Sequence, residues 1–149
     1  MINKVFTYGT LQEGCSNHGI INPQAIEKIE EAKVKDYDLY MHQSQRFPCM
    51  LPGNGIVVGQ LITIKEEYLE ETIKSLDRLE GFNKDNPDSS LYHRLQSPCV
   101  TSEDSEYISY VYIYNPKRSG VSQHILTGDF KDYIEKNESS EIIWIQNKN

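Results

Sequence analysis

The chain has 149 residues and a formal net charge of −7, from 15 Lys and Arg against 22 Asp and Glu. That length suits one domain, 1–149, with one core, and the absence of a roughly 20-residue apolar span excludes a membrane-spanning helix. The longest basic cluster is Lys117-Arg118, which gives no electrostatic footprint for nucleic acid or an anionic membrane, so small-molecule chemistry or protein contacts remain.

Residues 1–8 are too short and too polar a stretch for the apolar core of a secretion signal, and a cytoplasmic location is expected. Val5-Phe-Thr-Tyr8 reads as a first strand that stops at Gly9, because β-branched and aromatic residues fit a pleated, half-buried surface. Residues 9–23 are dense in Gly, Ser and Asn and read as an ordered loop with room for one helical turn. Val34, Leu39 and Met41 mark an interrupted strand over 32–41, and 56–64 is a second apolar strand in which Gly59 signals a bulge or a close backbone approach. A helix follows over 66–80, with Leu69, Ile73 and Leu76 at spacings of four and three. Residues 91–100 and 107–114 form a hairpin around the acidic turn 101–106. Phe130, Tyr133 and Ile134 behind the capping Asp129 predict a second helix over 129–136, and 141–145 a last short strand. Strands that outnumber two separated helices predict an α+β fold: a small, mixed, strongly curled sheet or barrel with peripheral helices.

Cys15, Cys49 and Cys99 are widely spaced and form no C-x-x-C pair, so neither a disulfide framework nor a zinc site is expected. The four histidines lack metal spacing, and no Ser or Cys stands in a nucleophile-elbow setting, which disfavours metal and triad mechanisms. Asn137-Glu-Ser139 fits a glycosylation acceptor but reads as accidental without a secretion signal.

Glu80 breaks the pattern of its helix. At about 100° per residue, with Leu69 at zero, Ile73, Leu76 and Glu80 all fall within about 40° of one line, whereas Arg78 projects to the opposite side. Glu80 therefore lies on the buried stripe, and it directly precedes Gly81, the residue type favoured just past a helix end. Burial and the negative end of the helix dipole both disfavour its ionised form, which predicts a raised pKa and a carboxyl able to take and give a proton near neutrality. The same pattern also fits a terminal glutamate that curls out to water past Gly81.

Tyr8-Gly-Thr-Leu11 at the end of the first strand, Leu76-Asp-Arg-Leu-Glu-Gly81, and then Tyr92-His-Arg94 together resemble the γ-glutamylcyclotransferase-like family, including its small bacterial members. Phe47-Pro48, the strand Tyr110-Val-Tyr-Ile-Tyr114 and Ile125-Leu-Thr-Gly-Asp-Phe130 extend the resemblance over about residues 4–133. It implies a small mixed barrel, a glutamyl-holding loop at Tyr8, Gly9, Thr10 and Leu11, and Glu80 as acid/base. It also implies ring closure of a γ-glutamyl amine or peptide to 5-oxoproline with release of the free amine, and no cofactor. Thr10 stands where Ser is common, which keeps a hydroxyl and adds a methyl. Tyr112, from its motif position on the aromatic strand, is expected to reach the pocket. Arg94 is read first as an ion-paired brace of the sheet. Phe47, Met50, Leu51 and the polar loop 83–90 are the candidate rim, and the leaving amine and oligomeric state are open. A binding or regulatory domain that keeps the pocket without turnover, and a tailoring enzyme acting on a related acyl-amine metabolite, are the alternatives.

Overall fold

A computed structural model describes residues 1–137 of the protein. Six strands and two helices follow in chain order: β1 (Lys4–Thr7), β2 (Ile26–His42), β3 (Pro48–Ile64), α1 (Glu66–Leu79), β4 (Tyr92–Thr101), β5 (Glu106–Tyr114), β6 (Val121–His124) and α2 (Phe130–Lys136). The strands lie in the order β3-β1-β5-β4-β2, and β2 pairs again with β3, which closes a five-stranded barrel with β6 added on β2. Of the strand pairings among the described residues only β1–β5 is parallel, at Val5 and Tyr110, so the barrel is mixed. The α+β architecture expected from the sequence is the one observed.

Alternation along each strand divides the buried residues between two cores. Phe6, Val34, Leu61, Cys99 and Val111 come from all five barrel strands and fill the interior, where Phe130 and Ile134 of α2 join them. Val5, Ile62, Ile64, Tyr112 and Tyr114 turn outward beneath Leu69 and Leu76 of α1 and Leu11, Ile21 and Ala25 of the long first loop. The glycine at position 59 is a close approach: a Cβ there would collide with the Thr7 carbonyl of β1.

Several boundaries differ from the sequence reading. The loop from Gly9 runs on to Ala25 and carries two 3₁₀ turns, His18–Ile20 and Pro23–Ala25, rather than one. β2 starts at Ile26, because Ile26 and residues 28–31 pair with β3 across an irregularity at Glu27, while the exposed Glu27 and Lys28 make a pattern too polar to signal a strand. β3 begins at Pro48, and the hairpin bends where Asp36, at φ 69°, opposes Gly53 to Gly55 between paired Lys35–Ile56 and Tyr37–Pro52. The exposed β6 has no apolar alternation to announce it. The strand expected at 141–145 lies outside the described residues.

Candidate active site

The end of α1 is built by a reciprocal main-chain turn. Gly81 adopts φ 63°, its N–H donates to the Arg78 carbonyl at 3.3 Å, and the Phe82 N–H donates to the Asp77 carbonyl at 2.8 Å. This is a Schellman closure, and it needs a left-handed residue that glycine adopts without steric cost. Glu80 is thereby the C-cap of α1, with its backbone N–H bonded to the Leu76 carbonyl at 2.9 Å. Leu76 is fully buried and Arg78 exposed, so the helical phase read from the sequence holds and turns Glu80 inward.

Glu80 lines a cavity of about 180 Å³ at the end of β1, where the two cores meet. Its floor consists of buried residues, among them Phe6, Tyr8, Gly9, Pro48, Tyr92 and Tyr112, and its mouth of the partly exposed Thr10, Asn17, Phe47, Leu79, Glu80 and Leu91. Phe47 stacks on His42 with ring centroids 4.3 Å apart and leans on Tyr92 at 6.1 Å, which fixes the apolar side of the mouth.

The loop after β1 folds on itself: the Gln12 N–H donates to the Gly9 carbonyl, and the Asn17 N–H to the Thr10 carbonyl at 2.8 Å. The Asn17 side-chain amide also donates to the Thr10 hydroxyl at 2.9 Å. These bonds use the Gly9 and Thr10 carbonyls and the Thr10 hydroxyl, whereas the N–H groups of Gly9, Thr10 and Leu11 have no acceptor among the described residues. A row of unpaired N–H groups beside a cavity is suited to a carboxylate or an oxyanion. Gly9 is required by contact as well, since a Cβ there would lie 2.7 Å from Pro48 Cγ. Gly9→Ala is expected to displace the Pro48 wall and to cost about 1–3 kcal/mol, as overpacking of a tight site does; chemical denaturation of the two proteins measures this.

Burial sets the electrostatics. It raises the Glu80 pKa from 4.5 to about 7. A cavity-facing surface leaves the carboxyl reachable, yet the surrounding protein replaces most of its water, and the ionised form loses solvation. No hydrogen bond or ion pair to this carboxyl occurs among the described residues. The three phenols around it are held protonated. Tyr8 and Tyr92 are raised well above the ordinary value by burial first and then by neighbouring acidic groups including Glu80. Tyr112 is raised by burial and by its hydrogen bond to Asp77. Each donates its proton: Tyr8 to the Tyr112 carbonyl at 2.5 Å, Tyr92 to the Pro48 carbonyl at 2.7 Å, and Tyr112 to Asp77 Oδ1 at 2.7 Å. Among the described lining residues Glu80 is left as the one group poised to exchange a proton near neutral pH.

The family profile described as "Gamma-glutamyl cyclotransferase, AIG2-like" matches residues 5–132. The chain belongs to this family. Among its relatives is the Niallia circulans protein named γ-L-glutamyl-butirosin B γ-glutamyl cyclotransferase, 26% identical over 111 residues, or 74% of this chain and 66% of that protein. The chain thus spans slightly less than two thirds of that relative's length. A Halalkalibacterium halodurans protein provisionally named a γ-glutamylcyclotransferase is 36% identical over 87 residues, 58% of this chain and 70% of that one. In three dimensions the fold is similar to the mouse AIG2-like protein, with a TM-score of 0.60 at 21% identity over 83% of this chain and 86% of the other.

For this γ-glutamylcyclotransferase-like chain, all six residues singled out from the sequence, Tyr8, Gly9, Thr10, Leu11, Glu80 and Tyr112, line one cavity. Arg94 stands aside: its guanidinium pairs with Asp77 at 3.0 Å. Of the four rim candidates only Phe47 lines the cavity. Met50 is buried in the barrel interior, and Leu51 packs against the outer core. No residue of the loop 83–90 lines the cavity, and the loop is tied down by the Asn83 N–H on Ser90 Oγ and by Asn115 on the Ser90 carbonyl. Asn17, Leu79 and Leu91 complete the mouth without having been foreseen. Leu79 lies inside the Leu76 to Gly81 motif and Leu91 precedes Tyr92, so both could have been found from the motifs, whereas nothing local distinguishes Asn17 from the other turn formers of its loop. Among the described residues no cluster of His, Cys, Asp and Glu is arranged to hold a metal.

Proposed function

We propose that the protein cyclises a γ-glutamyl amine or peptide to 5-oxoproline, with Glu80 as the acid/base. The observation that carries this reading is a carboxyl with a pKa raised to about 7, sharing a small cavity with the unpaired N–H groups of Gly9, Thr10 and Leu11. The loop donors hold the substrate's α-carboxylate or the developing oxyanion. The ionised Glu80 takes a proton from the substrate's α-ammonium, and the freed amine attacks the γ-carbonyl carbon. A C–N bond closes the five-membered ring, the original amide C–N bond breaks as Glu80 returns its proton to the departing nitrogen, and the ring nitrogen gives up its second proton to the released amine, so that the products are a neutral lactam and an ammonium. Nucleophile and electrophile belong to one molecule, so no protein nucleophile is needed, and confining the substrate to a bent conformer supplies much of the acceleration. The phenols of Tyr8, Tyr92 and Tyr112 stay neutral and shape the floor.

The mouth bears on the leaving amine. Among the described residues Glu80 is the only charged side chain that lines the cavity, and the rest of the mouth is Phe47, Leu79, Leu91 and the neutral Thr10–Asn17 pair. A leaving group with a carboxylate beside its nitrogen, as in a γ-glutamyl amino acid or glutathione, finds no cation there and would lose solvation without a partner. Amides of uncharged or cationic amines fit better. The γ-glutamyl compound in the name of the Niallia circulans relative shares the head group this reading requires.

The test is direct. The protein is incubated with γ-glutamyl-butylamide, γ-glutamyl-alanine and glutathione, and 5-oxoproline and free amine are quantified. Equimolar products are expected, with kcat/KM for the butylamide about tenfold or more above the other two. Binding without 5-oxoproline would reduce the site to a receptor, and a preference for the carboxylate-bearing substrates would overturn the assignment of the leaving group.

A further inference from the structure

Among the described residues Glu80 has no side-chain partner to hold it, and its place in the cavity comes from the helix end that carries it. We propose that Asp77, one turn earlier on α1, is the positioning residue of the site: its carboxylate, bridging Arg94 and Tyr112, fixes the α1 terminus on the barrel and so aims Glu80. The inference rests on Glu80 being the acid/base.

The geometry is specific. Arg94 of β4 and Tyr112 of β5 are direct cross-strand partners, so they present their donors at one level of the sheet. Asp77 uses both oxygens there: Oδ1 accepts the Tyr112 hydroxyl at 2.7 Å, and Oδ2 accepts Arg94 at 3.0 Å. Two bonds to two strands fix rotation as well as height, which one bond could not. The Arg94 guanidinium is itself held between the rings of Tyr110, at 5.0 Å, and Phe82, at 5.6 Å. Phe82 in turn donates its N–H to the Asp77 carbonyl, so side chain and main chain of one residue bracket the turn that contains Glu80.

The bridge also reaches the far side of the cavity. The Tyr112 carbonyl accepts the Tyr8 hydroxyl, and Tyr8 begins the loop that lines the cavity with Gly9, Thr10 and Leu11. A single carboxylate thus ties the acid/base to the glutamyl-holding loop through Tyr112. Exposed ion pairs contribute little to stability, but Asp77 and Arg94 are each about four-fifths buried and doubly engaged.

Wild type, Asp77→Asn, Tyr112→Phe and Glu80→Gln are compared for kcat, KM and the pH dependence of kcat on γ-glutamyl-butylamide, with the folded fraction of each measured at the assay temperature. Asp77→Asn is expected to lower kcat about tenfold or more, with KM changed less than about threefold, since small misplacements of a reacting group cost rate rather than binding. Its acidic limb should move, because a re-aimed Glu80 meets different surroundings. Tyr112→Phe keeps the ring that lines the cavity and should show part of both effects. If Asp77→Asn folds poorly, Tyr112→Phe decides alone. Wild-type kcat and an unmoved limb, or a loss that matches the unfolded fraction, would overturn the proposal. Inactive Glu80→Gln beside fully active Asp77→Asn removes only this inference, whereas a wild type that forms no 5-oxoproline removes the cyclisation reading beneath it.

Discussion

Exchange of Glu80 for Gln is expected to lower kcat about a hundredfold or more while substrate still binds. Gln keeps the volume and the polar end of the side chain but cannot accept a proton, and loss of a positioned acid/base costs about 10² to 10⁴ in rate. Calorimetric titration should detect γ-glutamyl-butylamide on the variant with an affinity near that of the wild type, because the Gly9 to Leu11 donors are untouched. The wild-type profile supplies a second reading of the same group. With the Glu80 pKa at about 7, kcat/KM should rise with pH through that value, as the carboxylate able to take the ammonium proton becomes populated. A variant that retains more than a few per cent of activity, or a wild-type acidic limb near 4.5, would take Glu80 out of the mechanism.

The same substitution should make the protein more stable in mildly alkaline solution. The carboxyl titrates at 4.5 when unperturbed and at about 7 in the folded chain, so between these values the native state binds more protons than the unfolded state. Stability associated with this group is therefore fully present below about pH 4.5 and declines as pH rises through 7. At about 1.4 kcal/mol per pH unit the whole displacement is worth about 3 kcal/mol. Gln cannot ionise, and the difference in unfolding free energy between variant and wild type should grow by up to that amount from pH 5 to pH 8.5, as read from urea denaturation at both values. A difference that stays constant with pH would show that Glu80 does not sit in a desolvated site. An active site that is less stable than its own inactive variant is the usual consequence of keeping an ionisable group dry for chemistry.

Much of this site was legible because two signals coincide. The 3.6-residue period of α1 places Glu80 with Leu69 and Leu76, and Gly81 announces the turn after it. Gly9 likewise marks the end of β1, and the motif order ties Tyr8, Gly9, Thr10 and Leu11 to Glu80 across about seventy residues. Tyr112 illustrates the limit of such reading. Its motif position brought it to the cavity, but its hydroxyl is turned to Asp77, and only the packing of α1 across β4 and β5 shows that. Arg94 was expected to brace the sheet against a carboxylate, and the structure identifies that partner as Asp77. The rim was the weakest expectation. Met50 and Leu51 sit near Phe47 in sequence, yet strand alternation and the bend opposite Asp36 send them into the two cores. The loop 83–90 was expected at the rim, but its residues do not line the cavity, and Ser90 and Asn115 tie it down.

Local chemistry written along the chain thus determined the strand-rich α+β class, the helical phase that buries one acidic residue, and the turn residues on either side of the cavity. Each of these depends on neighbours within a few positions, where steric and periodic rules act directly. The tertiary structure decided the closure of the barrel through a second β2–β3 pairing, the mouth formed by Asn17, Leu79 and Leu91, and the bridge from Asp77 to Arg94 and Tyr112. These join residues from distant parts of the chain, and their partners are set by which surfaces meet once the sheet has curled. Desolvation of Glu80 belongs to both levels: its helix turns it inward, and the opposing strands take away its water.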